Sequence, residues 1–198
     1  MKWTFPNLRL FLALAVITGG IYPAAVTLVS LAVFPHQAHG SLIRNEQGEV
    51  IASELIAQPF TSAKYFWPRP SSGDYATMPS GASNLSWTSA ELVKTVAERK
   101  AALLKAHGLP QGTPVPADLL FASGSGLESF ISPEAAEFQV NRVAAARGED
   151  PEKIRKTVAE HFISGGILGE NVINVMTLNA ALDKLPRSSV SYTHLRAH

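Results

Sequence analysis

The chain has 198 residues, of which 46% are hydrophobic, and its formal net charge is only +1. It has no cysteine and therefore contains no disulfide. Residues 36–186 carry thirteen Lys or Arg and sixteen Asp or Glu, a net charge of −3 without a basic run, so nucleic acid is not an expected partner.

Residues 10–34 contain no charged side chain and predict a transmembrane helix. At about 1.5 Å per residue this helix exceeds a hydrocarbon core of roughly 30 Å, so it should tilt or kink. We expect the kink at residues 19–23, because Pro23 lacks a backbone donor and its ring clashes with the carbonyl four residues earlier. Two other interpretations remain: a cleaved signal peptide, with a weak site at residues 37–40, and a plain anchor that tolerates a proline.

The charges that flank this segment predict its orientation. Lys2 and Arg9 precede it, whereas the residues that follow it carry Arg44 against three glutamates. Because positive charge is retained in the cytoplasm, residues 1–9 should be cytoplasmic and residues 36–186 should form one extracytoplasmic domain. In a bacterium the chain would lie in the inner membrane with its domain in the periplasm.

Strand patterns come first in this domain. Residues 40–44 and 48–56 predict two short strands joined by a polar turn. Residues 58–88, rich in Pro, Gly and aromatic side chains, predict a long ordered loop that packs on the domain or on a partner. Residues 117–122 predict a buried strand.

Helix signals follow the strand patterns. A capping box at Thr88, Ser132-Pro133 and Asp150-Pro151 are typical helix starts, and glycines end the periodic segments. The predicted helices are 88–107, 132–148, 150–165 and 172–185, the last of which could begin as a strand. Strands followed by helices predict an α+β fold. Residues 187–198 have no periodicity and predict a disordered tail, foreign to the domain.

The sequence contains none of the familiar ATPase motifs. It has no Gly-x-x-x-x-Gly-Lys-Ser/Thr loop, no Asp-Lys-Thr-Gly phosphorylation site and no His-Glu-x-x-His metal pair. We therefore expect no ATPase site, no metal site and no potassium site in this chain.

Residues 123–127 are the best local candidate for chemistry. As a nucleophile elbow the segment would need glycine where Ser123 stands, with His107 or His161 as the base. As an anion-binding nest it is a better match, because small residues let consecutive amides converge. A plain strand-to-helix turn is the third interpretation.

Isolated polar residues give weaker signals. Gln58, Gln139 and Asn174 lie in apolar surroundings and could contact a ligand or satisfy backbone groups. Arg69 lies between two prolines beside Tyr65 and could bind a carboxylate on another chain or stack on an aromatic ring.

Several sequence blocks carry a family resemblance. They run in order from the membrane helix to Leu185: Thr18-Gly-Gly-Ile-Tyr-Pro23, Gly40-Ser-Leu-Ile43, Ser53-Glu-Leu-Ile-Ala-Gln58, Tyr65-Phe66 with Arg69-Pro-Ser71, Ser80-Gly-Ala-Ser-Asn84, Pro114-Val-Pro116, Ser123-Gly-Ser-Gly-Leu127, Ile131-Ser-Pro133, Gln139 with Arg142, Asn174-Val175, and Leu178-Asn179 with Leu182-Asp183. Together they resemble the KdpC subunit family of the bacterial Kdp potassium-transporting ATPase. The chain departs from the family pattern at residues 128–130, at Ala57 and at Ala82.

The resemblance implies an accessory subunit without catalysis of its own. In that family KdpA conducts potassium, KdpB is the P-type ATPase, and KdpC is needed for assembly and acts as a catalytic chaperone that raises the ATP affinity of KdpB. No tightly bound cofactor is implied, and ATP would act through the partner ATPase subunit. The alternative function is a membrane-anchored periplasmic serine hydrolase.

Three sets of site residues are expected, of which the nucleotide-associated set is implied by the resemblance alone. The nucleotide-associated set is Ser123, Gly124, Ser125, Gly126, Leu127 and Gln139. The membrane-helix packing set is Gly19, Gly20, Tyr22 and Pro23, and the partner-contact set is Tyr65, Phe66, Arg69 and Asn84. The flanking charges oppose the nucleotide set, because an extracytoplasmic domain meets no ATP, and we favour the topology argument.

Overall fold

A computed structural model describes residues 4–185 of the chain, apart from the side chain of Thr4. The predicted tail at 187–198 and the first three residues lie outside this description. The chain divides into two compact units, one up to Leu42 and one from Ile43 onward. The first contains the apolar helix and the second contains the mixed α+β domain.

The apolar segment is helical over a longer range than predicted. Helix α1 spans Thr4–Val16, a π-helical turn spans Ile17–Ile21, and α2 spans Tyr22–Val33. The stretch Phe5–Val33 has 29 residues and contains an 18-residue window with a mean hydropathy of 2.0, so its length and composition suffice to cross a membrane. The π-turn lies directly before Pro23, at the predicted irregularity. There the amide of Tyr22 bonds the carbonyl oxygen of Ile17, five residues back, which widens the helix where the proline ring needs space.

The next elements are short. Helix α3 spans Pro35–Ala38, and strands β1 (Leu42–Arg44) and β2 (Val50–Ser53) form a two-stranded sheet. Asn45 organises the predicted polar turn between them, because its side-chain oxygen accepts the amides of Gln47 and Glu49. The predicted hairpin is confirmed.

Helix α4 spans Ala90–His107, close to its predicted bounds. Its cap is Ser89 rather than Thr88, since the Ser89 hydroxyl accepts the amide of Leu92. The predicted strand at 117–122 is wrong, because Ala117–Leu120 forms the short helix α5. Ala-Asp-Leu-Leu has no β-branched residue, and an apolar run of this length does not distinguish a buried strand from a buried helix.

Two further helices begin at the predicted caps. Helix α6 spans Pro133–Arg147 and α7 spans Pro151–Glu160, with the side chains of Ser132 and Asp150 accepting first-turn amides. Helix α7 ends earlier than predicted, because Phe162–Ile163 leaves it to form strand β4.

A three-stranded antiparallel sheet completes the domain. Its order is β3 (Phe130–Ile131), β5 (Val172–Asn174) and β4. Strand β5 leads directly into α8 (Val175–Lys184), whose first amides bond the Asn174 side chain, so the alternative of a strand start at 172 is correct. Helix α6 lies at the centre of the core, with buried residues Ala135, Ala136, Gln139, Val140, Arg142, Val143 and Ala144. The predicted apolar helix followed by an α+β domain is confirmed.

Candidate functional site

The turn at residues 123–127 is held from both sides by the rest of the domain. The amide of Ser123 donates to the carbonyl oxygen of Pro70 at 3.0 Å, and the carbonyl oxygen of Leu127 accepts the amide of Ala57 at 2.9 Å. Gly126 has φ +73°, and a Cβ there would lie 3.0 Å from the carbonyl oxygen of Gly81. Of residues 123–127, only Gly124 and Ser125 are exposed. Two of the amides that a nest would aim at an anion are used internally, since Ser123 donates to Pro70 and Leu127 donates to the Ser125 hydroxyl.

The serine-hydrolase arrangement is not formed. Ser123 is only 2% exposed, and its hydroxyl has no hydrogen-bond partner among the described residues. The ring nitrogens of His107 contact Leu103 and Arg142, and Nδ1 of His161 contacts the Thr157 carbonyl. Within residues 4–185 no hydrogen bond joins either histidine to Ser123 or Ser125, so no activated nucleophile is present there.

Gln139 lies in α6, and its side chain is fully buried. Its Oε1 accepts the amide of Trp67 at 2.8 Å, and its Nε2 donates to the carbonyl oxygens of Trp67 at 3.1 Å and of Ala135 at 3.2 Å. Oε1 also accepts from Arg142 at 2.7 Å. The amide has two donors and two acceptor sites, so its capacity is filled. None of these hydrogen bonds joins Gln139 to residues 123–127.

Asn179 binds both backbone groups of Phe66, as Gln139 binds both backbone groups of Trp67. Its Oδ1 accepts the amide of Phe66 at 2.9 Å, and its Nδ2 donates to the carbonyl oxygen of the same residue at 2.9 Å. Gln139 from α6 and Asn179 from α8 therefore bind the backbone of two consecutive residues of the long loop, as a neighbouring strand would. We call Gln139, Arg142 and Asn179 the loop clamp.

Arg142 is the third member and is only 7% exposed. Nη1 donates to the carbonyl oxygen of Ala63 at 2.7 Å and Nη2 to that of Tyr65 at 3.0 Å, while Nε donates to His107 Nε2 at 3.1 Å. The guanidinium also lies 3.9 Å from the centroid of the Trp67 ring. These described partners are all neutral, and burial lowers the pKa of Arg142 to about 10. Neutral acceptors and an aromatic face thus replace the water around a buried charge.

Arg142 also determines which ring nitrogen of His107 carries the proton. An arginine can only donate, so Nε2 of the imidazole must accept, and Nδ1 then carries the proton that it donates to the carbonyl oxygen of Leu103 at 2.8 Å. Trp67 and Phe138 pack against the same ring, with centroids 5.8 Å and 4.6 Å away. Burial is the main cause that lowers the pKa of His107, and the Arg142 charge acts in the same direction. His107 is a neutral packing residue.

The partner-contact candidates separate into different environments. Phe66 has no exposed surface, so its side chain belongs to the core and is not available to a partner. The Tyr65 hydroxyl donates to Asp183 at 2.9 Å, and Asp183 also accepts from Arg147 at 2.9 Å. Asn84 is exposed, with φ +53°.

Arg69 lines a cleft of about 410 Å³ together with Asp118, Glu128, Ser132 and Asn171. Its Nε is buried and has no hydrogen-bond partner among the described residues. Two of the cleft acids are already engaged, since Asp118 accepts the amide of Ser132 and Glu128 accepts the amide of Phe130. Within the described part of the chain no cluster of three or more His, Cys, Asp or Glu could hold a metal ion.

The membrane-helix candidates are exposed in the isolated chain. A Cβ at Gly19 or at Gly20 would meet no atom within 4 Å. Tyr22 is 67% exposed at the end of the π-turn. A neighbouring helix could therefore approach the backbone closely at the glycine pair.

No local sequence pattern groups Arg142 with His107 and Asn179. The loop partners of Arg142 and Asn179 lie 77 and 113 positions away, and His107 lies 35 positions from Arg142. The signal that could have found them was the presence of long polar side chains inside apolar helical patterns, since such groups are buried only with partners.

Comparison with known proteins identifies the family. The family model KdpC, described as the c chain of the K+-transporting ATPase, matches residues 4–184. The potassium-transporting ATPase KdpC subunit of Geotalea uraniireducens is 45% identical over 192 residues, which cover 94% of this chain and 100% of that protein. The KdpC subunits of Geobacter metallireducens and Sorangium cellulosum are each 48% identical, covering 91% and 90% of this chain and 96% and 95% of the relatives. The resemblance read from the sequence is confirmed, and the chain belongs to the KdpC family of potassium-transporting ATPase subunits.

Proposed function

We propose that this chain is an accessory, non-catalytic subunit of a high-affinity, ATP-driven potassium uptake complex. Its partners are a potassium-conducting KdpA subunit and a KdpB P-type ATPase subunit. It lies in the bacterial inner membrane by one helix, with the amino terminus in the cytoplasm and the domain outside. There it supports assembly and acts as a catalytic chaperone that raises the ATP affinity of KdpB.

The observation that carries this proposal is the use of the buried polar side chains. Gln139, Arg142 and Asn179 all bind the protein's own loop and present no free donor or acceptor pair to a small molecule. A catalytic site needs polar groups that converge on a space where substrate can sit. A domain that uses these three buried side chains to fix its own shape is better suited to hold a surface for a partner.

An extracytoplasmic domain acts on nucleotide affinity only through its partners. Coupling between distant sites is typically worth about 1–3 kcal/mol, a factor of about 5–150 in affinity. Such a factor requires only that the subunit bind one conformation of the pump better than another. Direct contact of ATP with residues 123–127 or with Gln139 is not needed.

Co-purification from a host that also expresses candidate KdpA and KdpB subunits tests the assembly. An affinity tag on the full chain should recover both subunits from solubilised membranes. Recovery of the tagged chain alone, with both others present in the same membranes, would contradict the proposal.

A variant of the membrane helix refines this test. Leucines in place of Gly19 and Gly20 should leave insertion intact and reduce recovery of the partners, because they block close backbone approach. Ala13→Leu on the same helix is the matched control and should recover the partners as the natural chain does. Equal recovery by all three would mean that the segment is only an anchor.

A nucleotide assay tests the chaperone role. Adding the purified chain to membranes that contain the other two subunits should lower the KM for ATP without supplying ATPase activity of its own. An unchanged KM at saturating chain would remove the chaperone role and leave the assembly role.

A further inference from the structure

The connection between β4 and β5 exposes two large apolar side chains completely. Ile167 and Leu168 are 101% and 100% exposed, and Phe162 and Ile163 in the adjoining strand are each 46% exposed. A lone exposed leucine needs no explanation, but a contiguous apolar tip beyond a half-exposed apolar strand is typical of a recognition surface. We call residues 164–171 the hairpin tip.

The hairpin tip has a defined shape. The amide of Gly169 donates to the carbonyl oxygen of Gly165 at 2.8 Å, and the Asn171 side chain accepts the amide of Gly165 at 3.3 Å. A Cβ at Gly165 would lie only 2.1 Å from the carbonyl carbon of Gly169. The backbone at residue 165 therefore approaches the backbone at residue 169 so closely that only glycine fits there. Gly166 has φ +63°. Ile167 and Leu168 are therefore projected by a closed turn, which lowers the entropy lost on binding.

The charge around the tip selects the occupant. Glu160 precedes β4 and Glu170 lies in the tip, and both are exposed. The cleft that Ile163 and Glu170 help to line also holds Asp118 and Glu128 against one cation, Arg69, so the charge beside the tip is net acidic. Surfaces that insert into bilayers combine apolar side chains with basic residues that attract anionic lipid headgroups. An acidic border disfavours such a surface and suits an apolar pocket with a neutral or basic rim on a protein.

We propose that Ile167 and Leu168 insert into an apolar pocket on another subunit of the potassium-transporting ATPase and form a binding hot spot. This inference rests on the proposed function, because it assigns the surface by which the subunit binds. Small clusters of buried apolar side chains carry much of the energy of an interface. The loss of one such side chain should weaken binding about ten- to hundredfold.

Photo-crosslinking in the assembled complex is the direct test. A benzophenone amino acid is placed at Leu168 of the full chain, co-expressed with the candidate partner subunits, and irradiated in intact cells. We expect a covalent adduct with a second polypeptide of the complex. The matched control is the same amino acid at Val93, which is 63% exposed on α4 and should give no such adduct. An adduct with phospholipid only, or no adduct at Leu168, would overturn the inference.

Two substitutions complete the test and separate it from the proposed function. Leu168→Asp should reduce co-purification of the partner at least tenfold, whereas Val93→Asp should change it less than twofold. Gly165→Ala should reduce it as well, because the tip must change shape, and Gly112→Ala, whose Cβ would meet no atom within 4 Å, should not. If the natural chain recovers the partners and Leu168→Asp recovers them equally, this inference fails and the proposed function stands. If the natural chain recovers no partner, the proposed function fails first.

Discussion

The loop clamp and the hairpin tip use side chains in opposite ways. At the clamp, the buried groups are an amide, a second amide and a guanidinium, and each hydrogen-bonds the backbone of residues 63–67. At the tip, two large aliphatic side chains have no neighbour and stand in solvent. Polar groups in the interior are stable only with partners, and apolar groups in water gain free energy only when something covers them. The first region therefore explains the shape of the domain, and the second indicates where it binds.

Removal of the clamp arginine should have the largest effect on stability. Arg142→Met removes the guanidinium donor from the carbonyl oxygens of Ala63 and Tyr65 and leaves the Gln139 oxygen with the Trp67 amide alone, and we expect a loss of about 3 kcal/mol or more. Denaturant unfolding of the full chain in detergent, followed by tryptophan fluorescence, measures it. Lys94→Ala removes a cation from an exposed pair and should change stability little. Equal effects of the two substitutions would mean that the clamp is not a stabilising element.

Removal of one clamp amide should have a smaller effect. Gln139→Leu keeps the volume but leaves the amide of Trp67 and one Arg142 donor unpaired, and the expected loss is about 2 kcal/mol. Asn179→Leu should cost a similar amount at Phe66. Because both bind consecutive residues of one loop, the double variant should cost less than the sum of the two. Strict additivity would contradict the view that they hold one segment.

The pH dependence of stability should report on His107. Its pKa is lowered in the folded domain, so the unfolded chain binds a proton as the pH falls below about 6.5 and the folded chain does not. Stability is therefore lost as the pH falls through this region, and the loss levels off below the folded pKa. His107→Gln, which keeps an acceptor for Arg142, should lose less stability than the natural chain between pH 7 and pH 5. Thermal unfolding at each pH measures the difference, and parallel curves would contradict it.

Substitutions in the hairpin tip should have the smallest effect on the stability of the domain. Ile167→Ser and Leu168→Ser remove side chains that contact nothing in the isolated chain, so the free energy of unfolding should stay within about 0.5 kcal/mol. The same unfolding assay measures it. A clear destabilisation would show that the two side chains pack within the domain, and the tip would lose its contrast with the clamp.

The sequence predicts those helix ends that depend on interactions between residues close together in the chain. The caps at Ser132 and Asp150 and the glycine stop at Gly148 each depend on residues within a few positions, and each was readable from the sequence. The irregular turn before Pro23 follows from one residue. Strand β4 was missed because Phe162 and Ile163 are extended only through pairing with β5, about ten residues later.

The contacts of the candidate site also join residues that are distant in the sequence. Gln139 could be recognised as an unusual polar residue, but its partner Trp67 lies 72 positions away, and sequence spacing does not reveal that contact. The assignment of Gln139 to a nucleotide set followed from resemblance, whereas its buried position follows from packing. The hairpin tip has a local sequence signal, since an Ile-Leu pair between glycines indicates an apolar turn.

The side of the membrane on which the domain lies decides whether it meets a partner outside the cytoplasm or ATP inside it. The chain has no cysteine, so single cysteines at Thr4, which precedes the apolar span, and at exposed Ser125 have a clean background. Lys105→Cys on the exposed end of α4 is a second reporter for the domain. A membrane-impermeant thiol reagent on intact spheroplasts should label Ser125→Cys and Lys105→Cys, and should label Thr4→Cys only after the membrane is broken. Labelling of Thr4→Cys in intact spheroplasts, with both domain cysteines silent until lysis, would place the domain in the cytoplasm and contradict the account.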